Sequence, residues 1–196
     1  MYRMRRAVCW PSVAEAGIKV AMVKATEGHT FTDSAWHANL RGATQAGIKV
    51  IPYHFLRAGA AEDQAAHFRD VVGLKHGMAY ALDWEGTRTA AAADVEQMGR
   101  ILAEITRRNP VGYWGMPGNT PETPTAAMER WERWVPRYPL RGIANFPAMP
   151  LAHHLTGVEY RFWQYTSHGK VSGIHGDVDR SVASFDDPDH LIRWCS

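Results

Sequence analysis

Apolar and polar positions alternate along this chain in two rhythms. Short runs rich in β-branched and aromatic residues, at 19–25, 49–55, 78–83 and 111–114, read as strands. Between them, residues 33–46, 60–72 and 92–108 carry apolar positions at helical spacing, and Gly47 stands where a left-handed helix cap would fall. A short helix over 13–16 precedes the first strand, and 126–134 also reads as helical. The Pro- and Gly-rich stretch 115–124 is a loop, as is 146–150, and short closing strands are expected at 160–165 and 176–178. Strands alternating with helices predict an α/β layer structure with largely parallel strands, either an open sheet or a barrel.

In both architectures catalytic groups collect at the C-terminal ends of the strands. That rule selects four places: Lys24-Ala25-Thr26-Glu27-Gly28, Pro52-Tyr53-His54-Phe55, Asp83-Trp84-Glu85 and Tyr113-Trp114-Gly115. The third is the most informative. An apolar run ends there in two carboxylates spaced i, i+2, which a strand sends to one face about 6–7 Å apart at the backbone, with Trp84 facing the other layer. Their oxygens then fit the roughly 5–9 Å window of glycoside-hydrolysing pairs. Acids at a strand end also cap helices or face solvent, so spacing alone leaves both readings open.

Composition narrows the class. The 196 residues suffice for one substantial core and are short for two domains. Eight Trp, seven Tyr and six Phe suit a groove that stacks flat ligands such as sugar rings, although most aromatics serve the core. A net charge of +2 does not mark a nucleic-acid binder, yet it favours approach to an anionic polymer such as a cell wall. No apolar run is long enough to span a membrane, and Arg3, Arg5 and Arg6 are not followed by the apolar segment of a secretory signal. Cys9 and Cys195 make no disulfide framework, although a single bridge between the two ends is conceivable geometry.

Several motifs in series resemble one known family. Lys24-Ala25-Thr26-Glu27-Gly28, Asp33, Ala46-Gly47, Tyr53-His54-Phe55, Leu82-Asp83-Trp84-Glu85, Trp163-Gln164-Tyr165-Thr166-Ser167, Gly169, Val171, Gly173-Ile174 and Val178-Asp179 are similar to glycoside hydrolase family 25, the Chalaropsis-type lysozymes of bacteria and phage endolysins. The resemblance runs from Trp10 to Ala183. It implies a single-domain, irregular (β/α) barrel, TIM-barrel-like, over 10–196, and cleavage of the β-1,4 bond between N-acetylmuramic acid and N-acetylglucosamine in peptidoglycan. By motif position Glu85 resembles the general acid, its pKa raised by crowding against Asp83. Asp83 resembles the partner that orients the substrate acetamido group or stabilises positive charge, and Asp179 the family's C-terminal active-site acid. Enzyme nucleophile and substrate assistance both fit two nearby acids, and the reading leans to the latter.

The chain departs from the family at its start. Family members open with a strand bearing an Asp-Val-Ser-like motif, whereas residues 1–9 hold no acid, so 1–9 reads as an atypical segment with the first strand missing or altered. A missing strand would expose two sheet edges, and a barrel that binds peptidoglycan without cutting it is the alternative this raises. A chitinase-like enzyme also uses an Asp-x-Glu strand end, but the Trp163-Gln164-Tyr165 block points away from it.

Tyr53, Tyr113, Gln164 and Glu27 are the candidate substrate contacts, with Glu27 equally able to bond loop amides. His54 reads as a hydrogen-bonded packing residue, and Lys24 as the partner of a strand-end acid. His153-His154 lacks the spacing of a zinc set, and Gly176-Asp177-Val178-Asp179 lacks the further oxygens of a calcium loop, so neither a metal nor any other cofactor is implied. The expected partner is cell-wall peptidoglycan, met by a monomer that neither binds nucleic acid nor inserts in a membrane. It would act as a phage endolysin released from the cytoplasm or as an exported enzyme whose start lies upstream.

Overall fold

The structure, a computed structural model, describes residues 7–86, 88–115, 122–138, 158–185 and 187–195. Among these residues eight strands form one sheet. In chain order these are β1 (Val20–Glu27), β2 (Phe31–Thr32), β3 (Lys49–Phe55), β4 (Ala81–Asp83), β5 (Val111–Tyr113), β6 (Glu132–Pro136), β7 (Phe162–Gly169) and β8 (Val178–Ala183). Their order in the sheet is β2-β1-β3-β4-β5-β6-β7-β8, parallel from β1 to β7 and antiparallel at both ends. The helices are α1 (Trp10–Glu15), α2 (Trp36–Gln45), α3 (Ala61–Val72), α4 (Ala92–Thr106) and α5 (Pro188–Trp194), with one 3₁₀ turn at Met128–Arg130. The curled sheet is a half-barrel, and among the described residues no strand pairs β1 with β8.

Strand alternation sorts the side chains into two cores. Leu82, Trp84, Val23 and Ala25 face the helices, where Trp36, Phe68, Met98 and Leu102 meet them in full burial. Each such side chain contributes roughly 1.5–3 kcal/mol on leaving water. The concave face carries a smaller cluster of Ile51, Ala81, Val111, Tyr113, Trp134 and Phe162, against which Leu191 and Trp194 of α5 pack. Its residues lie at alternate positions of their strands, as the period of two requires.

Most elements fall where the apolar pattern puts them, and β3 coincides with its expected range. The helix expected over 126–134 is instead a 3₁₀ turn followed by β6. Trp131 and Trp134, three apart, mimic a helical face, yet Trp131 packs with Trp114 on the helix side while Trp134 packs on Tyr53 and Tyr113 on the concave side. Extended backbone sends such a pair to opposite faces, and two cores were there to receive them. The pattern also passed over β2 and α5, although Asp187 caps α5 through its side chain, accepting from His190 N at 2.6 Å, with Pro188 at the first position.

No helix among the described residues is long and apolar enough to cross a membrane. Cys9 and Cys195 are both free thiols. His153-His154 and the loop expected at 146–150 lie outside the described residues.

Candidate active site

One rung of paired residues crosses the sheet: Glu27, Phe55, Asp83, Tyr113, Trp134, Phe162 and Ala183. On β1, β3, β4 and β5 it lies at the C-terminal ends, so its first four members form the floor of the expected site. Asp83 is the last residue of β4 and only 7% exposed. Its peptide oxygen accepts from Leu56 N at 2.9 Å, while Trp84 N donates to Tyr113 O at 2.8 Å, so the ladder continues beyond the strand. Trp84 turns to the helix layer, its indole N–H donating to Ala90 O at 2.8 Å. Glu85 follows, partly exposed beyond the strand, and Gly86 at φ +84° turns the chain away, a conformation open to glycine without strain.

Electrostatics concentrate on Asp83. Burial first, then the charges of Glu85, Asp179 and Glu27, hold its carboxyl well above the usual carboxylate range, with Lys24 opposing them. Among the described residues its Oδ1 is buried without a hydrogen-bond partner. Such an orphaned acceptor costs stability in a folded protein, which marks the position as one shaped for something other than packing. The sequence places the crowded acid at Glu85, whereas in the structure Asp83 is the deeply buried member of the pair.

Around this pair stand the other expected residues. Asp179 is the second residue of β8, the strand antiparallel to β7, and so lies toward the same end of the sheet. It keeps contact with solvent at the rim, and the wall about it raises its carboxyl, with His168 opposing. The Tyr53 hydroxyl is raised by burial and then by the charges of Asp83, Asp179, Asp33 and Glu85. Tyr113 is raised by burial, Glu85, Tyr138, Asp83 and Asp179. Acids from three distant parts of the sequence, Asp33, the Asp83 and Glu85 pair, and Asp179, thus share one field. Gln164, 3% exposed on β7, donates to the Tyr138 hydroxyl at 2.8 Å and lies on the same side of the groove.

Glu27 has a different setting. Lys24 Nζ stands 2.5 Å from its Oε2, and Arg57 Nε lies 2.7 Å from its Oε1. Burial would raise this carboxyl, but those hydrogen bonds and charges outweigh it and hold it below the ordinary range. His54, fully buried on the opposite face of β3, bonds Thr26 Oγ1 at 2.7 Å and Gln64 Oε1 at 3.2 Å. Burial lowers its pKa to about 4, which fits a neutral packing histidine. Arg57, Phe55, Tyr138 and Trp134 were not selected from sequence. Of these, Arg57 offered a signal, lying two residues beyond a strand end that pairs with Glu27.

Among the described residues no three His, Cys, Asp or Glu side chains gather as a metal site would require. The arrangement suits proton transfer and charge stabilisation at a bond held over Asp83 and Glu85, between aromatic walls.

The sequence profile of glycosyl hydrolases family 25 matches residues 1–174. The autolytic lysozyme of Clostridium acetobutylicum is 28% identical over 182 residues, covering 91% of this chain and 53% of that protein. Lysozyme M1 of Streptomyces globisporus is 28% identical over 193 residues, covering 88% and 62%. This chain therefore spans about half to three fifths of the length of these two relatives. The crystal structure of a bacterial lysozyme from Streptomyces coelicolor superposes with a TM-score of 0.73 at 24% identity, over 97% of this chain and 93% of that one, a likeness of fold.

Proposed function

Since this chain belongs to glycosyl hydrolases family 25, we propose that it is a peptidoglycan muramidase, cleaving the β-1,4 bond between N-acetylmuramic acid and N-acetylglucosamine. The observation that carries the reading is the buried Asp83 carboxyl with its orphaned Oδ1, coupled to Glu85 at the C-terminal rim of the sheet. Two neighbouring carboxyls in low dielectric do not both ionise readily, which favours keeping a proton on the pair.

In this reading Glu85, the more accessible member, delivers that proton to the departing glycosidic oxygen. Asp83 takes the acetamido N–H on its unused oxygen and so holds the N-acetyl carbonyl against the anomeric carbon. Asp179 steadies the positive charge that develops there. Tyr53 and Tyr113 stay protonated, as their raised pKa values require, and offer hydroxyl donors and ring faces to the sugars. Residues 10–196 serve as the catalytic domain, working as a monomer on the bacterial cell wall after release by phage lysis or export.

The test is digestion of purified cell walls, with borohydride reduction of the new ends. Falling turbidity with muramic acid at those ends is the expected result. Glucosamine there would change the bond assigned, and binding with no new ends would reduce the protein to a wall-binding barrel.

A further inference from the structure

Beside the acid pair the concave face carries a built cationic shelf that the cleavage chemistry leaves unused. Moving outward from Asp83 along the rung, Phe55 comes first, with Lys24 Nζ 4.7 Å and the Arg57 guanidinium carbon 4.6 Å from its ring centre. Both cations grip Glu27. Beyond them Phe31, at the β1–β2 turn, is 50% exposed, and Lys24 Nζ lies 5.6 Å from its ring centre. The Lys24 ammonium thus stands between an inner and an outer aromatic ring.

Three features give this shelf a binding character. Two cations contact the one Glu27 carboxylate, which leaves that three-residue cluster with a positive charge. Arg57, its side chain 42% exposed, spends Nε and Nη2 on a single Glu27 oxygen and has no partner for Nη1 among the described residues. Its guanidinium lies over the Phe55 ring and is tied to Glu27, a fork of the kind that receives a carboxylate. Arg88, exposed, follows in the adjoining backbone, its carbonyl accepting from Ala58 N at 3.2 Å. Asp33 is the opposing acid, and one of its oxygens is occupied by Ala35 N at 2.8 Å. The hairpin is fixed in place, since His67 Nε2 reaches Phe31 O at 3.1 Å.

Distance selects the ligand. Glu27 stands two strands from Asp83, about 10 Å at ordinary strand spacing. A sugar bound over Asp83 and Glu85 ends short of the shelf, while a branch leaving that sugar reaches it. We propose that Lys24, Arg57 and Phe31 form a subsite for the acidic peptide branch of the polymer, with Arg57 receiving a peptide carboxylate and Phe31 its apolar side chains. The inference rests on the muramidase reading, and it makes the protein a reader of peptide-bearing glycan over bare glycan.

The experiment compares kcat/KM on two substrates: glycan strands carrying their peptides, and the same strands stripped by an amidase. For the wild type the ratio is expected to be about tenfold in favour of the peptide-bearing strand, the order of one charge-assisted hydrogen bond. Arg57→Gln should bring it below about threefold, mostly through KM, and Arg57→Lys should recover part of it. Phe31→Ala, a change at an exposed turn, should lower the same ratio and keeps the test alive should Arg57→Gln disturb Glu27. A wild-type ratio near one, or a ratio that neither Arg57→Gln nor Phe31→Ala moves, overturns the subsite while leaving the muramidase reading intact. Cleavage of neither substrate refutes both.

Discussion

Glu27 and Asp83 sit on one rung of one sheet, two strands apart, and the protein treats their charges in opposite ways. Glu27 is held by two cations, and its carboxyl is depressed. Asp83 is more deeply buried, has Glu85, Asp179 and Glu27 as electrostatic neighbours, and its carboxyl is raised. The same rung position on two strands of one sheet therefore yields a fixed anion in one case and a proton-holding group in the other. The difference lies in what the flanking loops supply. After β3 the chain brings Arg57 back over the rung, whereas after β4 it brings a second acid. A proton donor needs the second arrangement, since compensation by cations would ionise it well below neutral pH.

The sharpest way to break the comparison is to remove the acid at the uncompensated centre. Glu85→Gln keeps the shape of the side chain and should lower wall-cleaving rate by roughly 10²–10⁴ while leaving the folded protein intact. A folded variant with near-normal lysis would take Glu85 out of the mechanism. In the compensated region the reverse balance is expected. Glu27→Gln leaves Lys24 and Arg57 facing one another and should destabilise by about 1–2 kcal/mol, discounted because Arg57 is half exposed. The loss has a pH signature. A depressed carboxyl contributes stability above the ordinary Glu range, near pH 4.3, and loses it as pH falls through the lowered value. Urea denaturation of both proteins at pH 7 and at pH 3 checks this, and an equal difference at the two values would contradict the pairing.

How much of this could be read from the sequence follows the range of the forces involved. The strand ends were legible because hydrophobic period and turn residues are local signals, and β3 and the acid-bearing end of β4 appear as expected. The presence of an Asp-x-Glu end was equally local. Which acid would be buried was not, because that depends on how β3 and β5 flank β4. The pairing of Glu27 with Arg57 spans thirty positions and comes from strand register, which the pattern of one strand does not encode. The Trp131–Trp134 error has the same root. A repeat of three or four suits a helix, and only the existence of two cores on either side of the sheet makes an extended chain bury both rings.

The smallest expected effect is also the one that addresses the centre most directly. Asp83→Asn keeps size and removes a charge that the site does not compensate. A carboxyl raised in the folded state binds more protons there than in the unfolded chain, so wild-type stability falls as pH climbs from the unfolded value near 3.9 through the raised one. The variant lacks that decline. It should match the wild type near pH 4 and exceed it by about 1 kcal/mol at pH 8, with most of its activity gone. Buried His54 also makes stability depend on pH, since its lowered pKa costs stability as pH falls below the ordinary histidine value. That contribution is common to both proteins and cancels in their difference. The neighbours then supply an internal control. Removing the Glu85 charge by Glu85→Gln lowers the Asp83 carboxyl, so the advantage of Asp83→Asn over its matched parent should shrink, whereas Lys24→Met removes an opposing cation and should enlarge it. Chemical denaturation midpoints of these pairs between pH 4 and 8 measure the effect, and a difference flat across that window would mean that Asp83 is as well compensated as Glu27.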